Sequence, residues 1–221
     1  MNRISIGLLV AGVIAFVPAL THADDLPAIQ DTFTDATAPA TNFGRTDTMR
    51  VQKVGTRVAL IRFDLASAPA ASPQRTALLR IRVDDVNQGG RIEVRRVLSG
   101  WEEGTVTFNT PLIISPRVVA TYDITPADTG QIISLDVSEA AAEWTRAPEK
   151  NFGLQISSAE FGGRGRPYLS LASREQDSAA VLSLTGDADV KVAVQQDQPD
   201  AAPSKGAGDA ELDSSAQFLR R

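Results

Sequence analysis

Hydrophobic positions between about residue 30 and residue 185 fall in short runs. They alternate with polar positions and are interrupted repeatedly by Gly, Pro, Asp or Asn. Alternation at period two marks strands with one buried face, and almost no stretch repeats at the helical period. The pattern predicts strands near residues 31–34, 48–54, 57–64, 76–83, 91–97, 106–108, 117–122, 131–136, 152–157, 167–171 and 180–184. Pro39, Pro69, Pro73 and Pro126 have no amide to give a ladder, and Gly89-Gly90 and Gly162-Gly163 permit positive φ in tight turns. One stretch departs from alternation. From Ser138 to Trp144 it has a candidate N-cap in Ser138, three alanines, and an apolar pair at Ala140 and Trp144. It predicts a short helix ended by Pro148. Many short strands with one helical turn predict an all-β fold, an antiparallel two-sheet β-sandwich of the jelly-roll type with one short helix.

The two ends of the chain follow other patterns. In residues 1–23, Arg3 precedes an almost unbroken apolar run from Ile4 to Leu20, and Pro18 leads into Thr21-His22-Ala23, with small residues where a signal peptidase cuts. The expectation is a secretory signal peptide, the alternative being an uncleaved anchor, and the mature chain is expected to start at Asp24. From Asp187 onward seven acidic residues face four basic ones in a background of Ala, Gln, Pro, Ser and Gly. Such a segment buries too little apolar surface to offset its ordering entropy, so residues 187–221 are read as a disordered tail. Residues 24–186 remain as one β-sandwich domain.

Composition narrows the chemistry. The 221 residues include no Cys and a single His, and 43% are hydrophobic. Disulfides, thiol catalysis, Cys-ligated zinc and iron–sulfur clusters are excluded. With His22 assigned to the signal, a Ser–His nucleophile system is excluded as well. The formal charge of −5 becomes one unit more negative when Arg3 is removed, which argues against a nucleic-acid partner. No other segment is apolar enough to span a bilayer. The chain is therefore expected to be secreted, either periplasmic or extracellular.

Alternation also sorts side chains by face. In residues 76–84, Leu79, Ile81 and Val83 share one face, while Leu78, Arg80, Arg82 and Asp84 share the other. In residues 91–97, Ile92, Val94 and Arg96 alternate with Arg91, Glu93 and Arg95. If the two strands pair through the Asn87-Gln88-Gly89-Gly90 turn, Arg80, Arg82, Arg91 and Arg95 gather on one solvent face, with Arg62 as a further candidate. One reading is a solvated face on which arginines pair with Glu93, Asp84 or Asp85, each pair contributing little. The other is an anion-binding platform, because guanidinium forks grip carboxylates bidentately and suit a uronate or sulfated polysaccharide. The pattern by itself favours the solvated face.

Catalytic candidates are few. Glycoside hydrolysis needs two carboxylates flanking one cleft, whereas adjacent Glu102 and Glu103 point to opposite faces of an extended chain. Tyr122 or Tyr168 could serve as the base of a lyase, but nothing in their spacing supports it. No cofactor is expected. Asp31, Asp35 and Asn42 could contribute to a structural calcium site, but no EF-hand-like spacing exists and turn stabilisation is the favoured reading. Trp101 and Trp144, the only tryptophans, are read as core. Exposed Tyr122, Tyr168 or Phe161 would make weaker sugar-stacking platforms.

These residues together resemble a known family. Asp31-Thr32-Phe33-Thr34-Asp35, then Pro39-Ala40-Thr41-Asn42-Phe43-Gly44, resemble the opening of secreted DNRLRE-type domains, which are grouped with an alginate-binding carbohydrate-binding module family. The likeness continues through residues 57–65 and 77–81. It is strongest at Trp101-Glu102-Glu103-Gly104-Thr105-Val106-Thr107-Phe108-Asn109-Thr110-Pro111, with Phe108 where the family usually carries Trp. Leu135-Asp136-Val137, Asn151-Phe152-Gly153-Leu154 and Ser173-Arg174-Glu175 follow in family order. The resemblance implies a jelly roll, secretion, no catalysis and binding to an acidic polysaccharide. It implies structural roles for Trp101, Trp144, Gly44, Gly153 and Glu102 or Glu103, and it brings the two readings of the arginine face level. The expectation is a non-catalytic module binding an acidic polysaccharide through Arg80, Arg82, Arg91 and Arg95. The alternative is a structural or adhesive domain of the cell surface or extracellular matrix.

Overall fold

The computed structural model describes residues 24–66, 76–159, 165–177 and 179–185. The signal-peptide and tail readings, Phe161, and the turns at Pro69, Pro73 and Gly162-Gly163 lie outside the described residues. Among these residues the chain forms β1 (Asp24–Asp35), β2 (Thr48–Gln52), the single-turn α1 (Lys53–Thr56), β3 (Arg57–Phe63), β4 (Thr76–Gln88) and β5 (Gly90–Val97). There follow β6 (Ile114–Ile124), β7 (Ile132–Asp136), α2 (Ser138–Arg146), β8 (Leu154–Ser158), β9 (Tyr168–Ala172) and β10 (Val181–Thr185).

Every strand pairing is antiparallel, and the strands close on themselves. β1 pairs β10, β10 pairs β4, β4 pairs β9, β9 pairs β2, β2 pairs β3, and β3 returns to β1. The molecule is thus mostly β, a closed six-stranded barrel carrying outer strands, rather than the two separate sheets expected. Strand β1 makes the closure. Its first residues pair β10 (Asp24↔Leu184), and after an irregularity at Ala28/Gln30 the rest pairs β3 (Asp35↔Arg57). Outside the ring, β8, β5 and β6 extend the sheet from the free edge of β3, and β7 adds to β4.

The predicted faces of β4 hold: Leu79, Ile81 and Val83 are fully buried while Arg80 and Arg82 point out. They join Met49, Ile61, Phe63, Ile92, Ile156, Leu169 and Leu182 in the main core. The helix is also as expected, burying Ala140, Ala141 and Trp144 and ending before Pro148. Ser138 is its first residue instead of its cap, and the Asp136 carboxylate accepts the Ser138 amide at 2.9 Å. Arg96 of β5 pairs with Glu143 of α2, tying the helix to the sheet. No helix among the described residues is long and apolar enough to cross a membrane.

Three further expectations change. Residues 106–108 are loop, because Val106 gives its carbonyl to the Asn42 side chain and Thr107 gives its amide to Thr110 Oγ1, leaving no ladder. Residues 53–54 leave the second strand for α1, where Lys53 takes φ 36°. The third concerns β4 and β5, which are consecutive but do not pair. β9, β2, β3 and β8 stand between them in the sheet order. Gly89 is therefore a corner and not a hairpin tip. Its φ is not positive, and it is needed because a Cβ there would lie 2.8 Å from the Ile124 carbonyl.

Candidate functional site

The corner at Gly89 divides the four arginines. Arg80 and Arg82 stand on the outer face of β4, opposite Ser134 and Ile132 of β7. Their side chains are 44% and 47% exposed, with loose partners among the described residues in Asp25 at 3.8 Å and Asp84 at 3.5 Å. Arg91 and Arg95 lie on the outer face of β5, flanked by β6 and β8. Arg91 holds Asp123 across the strand pair with two bonds of 2.7 Å, and that hydrogen bond raises its pKa. Arg95 reaches Glu93 at 2.8 Å and the Pro116 carbonyl at 2.6 Å. Arg62, opposite Gln30 on β3, joins neither pair.

The face carrying Arg95 is shaped by its neighbours. Register places Thr34, Val58, Ser157 and Glu93 in one row across β1, β3, β8 and β5. The next row holds Leu60, Gln155 and Arg95. Leu60 points away from the barrel interior and is nonetheless fully buried, because residues 98–113 fold over it. Trp101, Val106 and Val97 pack on Leu60 as a second small core, with Leu112, Ile114 and Phe152 around them. The Trp101 indole donates to the Phe152 carbonyl at 2.7 Å. Asn42 holds the loop from outside, its amide donating to the Glu103 and Val106 carbonyls at 2.7 Å each, and the Asn109 amide donates to the Pro39 carbonyl.

Between this loop and the sheet lies an open groove of about 300 Å³. Its floor is Thr34, Val58, Glu93, Arg95, Gln155, Ser157 and Ser158; its wall is Thr107, Phe108, Thr110 and Leu112. Phe108, at the wall, is 42% exposed, unusual for a ring that size. Ser158, at the edge of the groove, pairs with core Ile92 and is 4% exposed, and its hydroxyl has no hydrogen-bond partner among the described residues.

A sequence model of carbohydrate-binding module family 96 matches residues 22–186. The chain belongs to that family. No match was found among curated proteins. In the family 96 module the structural roles implied for the motifs are visible. Trp101 and Trp144 are buried, and Glu103 accepts the Asp31 amide at 2.9 Å. A Cβ on Gly44 would meet the Glu103 carbonyl at 2.3 Å.

The other sequence candidates take different places. Glu102 and Glu103 do diverge, Glu102 accepting from Gln30 Nε2 and Glu103 from the main chain of Asp31. Tyr122 donates its hydroxyl to Asp128 at 3.0 Å, and burial first, then that partner, raises its pKa, which is the wrong direction for a base. Of the proposed calcium ligands, Asp35 is engaged by Arg57 at 2.6 Å and by the Thr37 hydroxyl at 2.7 Å, and Asn42 by the loop. Only Asp31 faces other carboxylates. Sequence reasoning missed Gln155 and Ser157, whose alternation with buried Leu154, Ile156 and Ser158 marks an outward polar row but not a ligand. It noted Phe108 only as a departure from the family's Trp.

Proposed function

We propose that this module is a secreted, non-catalytic protein that holds an acidic polysaccharide in the groove between β8, β5 and residues 107–112. The observation that carries this reading is the joint placement of an exposed ring, a guanidinium and the outward polar pair Gln155 and Ser157 in one groove. The Phe108 ring offers a face for a pyranose, Gln155 and Ser157 offer hydrogen bonds, and Arg95 offers charge to a uronate carboxylate. Arg91 lies on the same strand face four residues away, about 13 Å at strand rise, so a chain of sugars following β5 reaches both arginines. Arg80 and Arg82 form a separate, less committed patch. The groove lining holds one carboxylate, Glu93, and Arg95 already engages it, whereas hydrolysis needs a carboxylate pair.

A neutral polysaccharide is the second reading, favoured by one observation: the cation of Arg95 is already matched by Glu93, which is 9% exposed. Gel retardation separates the readings. Retardation in alginate or pectate that weakens with salt and is lost in Arg95→Ala supports the acidic ligand. Salt-insensitive retardation in neutral glucans supports the second. Loss in Arg80→Ala/Arg82→Ala with Arg95→Ala unaffected moves the site to β4. Unchanged mobility in every glycan leaves the structural or adhesive role.

A further inference from the structure

We propose that Asp31, Glu103 and Glu175 bind one divalent cation of the calcium class, at a site separate from the groove. One carboxylate oxygen of each lies within 4.8 Å of the others, although the residues come from β1, the loop after β5 and the turn after β9. The cluster is held from outside by its neighbours. The Asp31 amide donates to Glu103 Oε1 at 2.9 Å, the Arg174 amide to Asp31 Oδ2 at 2.8 Å, and the Ser173 hydroxyl to Glu175 Oε2 at 2.8 Å. What this leaves over is the second observation. Asp31 is 1% exposed, and its Oδ1 is sealed from solvent without a hydrogen-bond partner among the described residues. A carboxylate oxygen in that position needs a cation, a proton or a donor, and the described residues supply no donor.

Charge points the same way. Among the described residues the cation at the cluster is Arg174, whose Nη1 donates to Glu103 Oε2 at 3.0 Å and to the Ile29 carbonyl at 2.7 Å. Three carboxylates against one guanidinium leave two negative charges, which one dication cancels. Without an ion, burial above all, then the Glu175 and Glu103 charges, push Asp31 up to about 7 despite the Arg174 amide. The donors are all oxygens, which suits calcium or magnesium and not zinc. Glu175 is exposed and leaves one side open to water, giving the loose, partly hydrated shell that calcium accepts more readily than magnesium.

The test uses the full chain, stripped with EGTA and titrated with calcium chloride alone. Calorimetry is expected to show one ion per chain. Calcium at a hundredfold excess over its dissociation constant is expected to raise Tm by about 5–10 °C. Glu175→Gln, on the exposed side, is expected to lower affinity at least tenfold while leaving Tm in EGTA unchanged. Glu102→Gln, one residue from the cluster and turned away from it, is expected to bind like the wild type. Absence of both binding heat and Tm response overturns the proposal, as does an undiminished response in Glu175→Gln. No glycan enters the measurement, so its outcome is independent of the groove's ligand.

Discussion

Replacing Asn42 by Ala removes the side chain that fastens the groove wall to the body of the protein. Its amide donates at 2.7 Å to the Glu103 carbonyl and at 2.7 Å to the Val106 carbonyl, and its Oδ1 accepts the Gly44 amide at 3.2 Å. Three hydrogen bonds at about 1 kcal/mol net each give a loss of about 3 kcal/mol. For a domain of this size that lowers Tm by about 6–12 °C. Val106 is 1% exposed, so water does not readily replace the lost donor. Asn42→Asp, which sets an acceptor against two carbonyls, is expected to lose more. The control is Asn109→Ala in the same loop. Asn109 is exposed and anchors the loop through its main-chain amide, so its truncation is expected to cost no more than about 0.5 kcal/mol. Scanning calorimetry measures all three. An Asn42→Ala melt matching that of Asn109→Ala would refute the reasoning, since the loop would then be held by Trp101 and Val106 alone.

Two glycines separate steric from conformational cost. Gly153 has φ +84° and sits where a Cβ would lie 2.2 Å from the Ile61 carbonyl, whereas Gly55 has φ +66° with nothing near. Gly55→Ala is expected to cost about 1 kcal/mol and Gly153→Ala about 4 kcal/mol or more, and equal denaturant midpoints would contradict the close approach of β3 and β8. Burial works to raise Asp35, but the Thr37 hydroxyl and amide and the Arg57 guanidinium outweigh it and hold its pKa below the usual value. Its contribution is therefore complete above the unfolded pKa near 3.8 and lost as pH falls through the folded one. Asp35→Asn is expected to be less stable than the wild type at neutral pH, with the gap narrowing below about pH 4. A gap that stays constant into acid would show that Arg57 acts through packing and not through charge.

What could be read from the sequence was local. Alternation placed Leu79, Ile81 and Val83 inside and Arg80 and Arg82 outside, because one side of β4 is buried and the period of two admits no other assignment. The helix at Ala140 and Trp144 was legible for the same reason. Pairing was not. Gly89-Gly90 announces that the chain bends but not which strand it then meets, so the arginines were assembled on a hairpin that does not form. The start of β1 was missed because Pro27 argues against a central strand, and its partner Val181 lies far along the chain. Leu60 lies on the outward face of β3 and is buried by the loop that makes the groove, a long-range contact that alternation does not reveal. Asp31 was nominated for calcium, but with Asp35 and Asn42 from its own neighbourhood. Glu103 and Glu175, 72 and 144 positions further along, could be joined to it only by the fold.

The residues that shape the groove and those of the cation site share one segment. Glu103 belongs to the acidic cluster, and five positions later Phe108 stands at the groove wall. Between them the chain is fixed at Val106 by burial and by Asn42, which also holds the Glu103 carbonyl. An ion on the Glu103 carboxylate therefore stiffens the near end of the wall without touching a sugar. Glycan affinity should then be higher with calcium than without, through reduced ordering cost upon binding and not through new contacts. Acidic glycans bind calcium themselves, so a bare comparison of calcium with EGTA is ambiguous. Comparing wild type with Glu175→Gln in the same gels removes the ambiguity, since both proteins meet the same glycan. With calcium the wild type is expected to be retarded more strongly, and in EGTA the two are expected to coincide. If they differ equally in both, Glu175 acts on the groove by another route, and the wall is rigid without the ion.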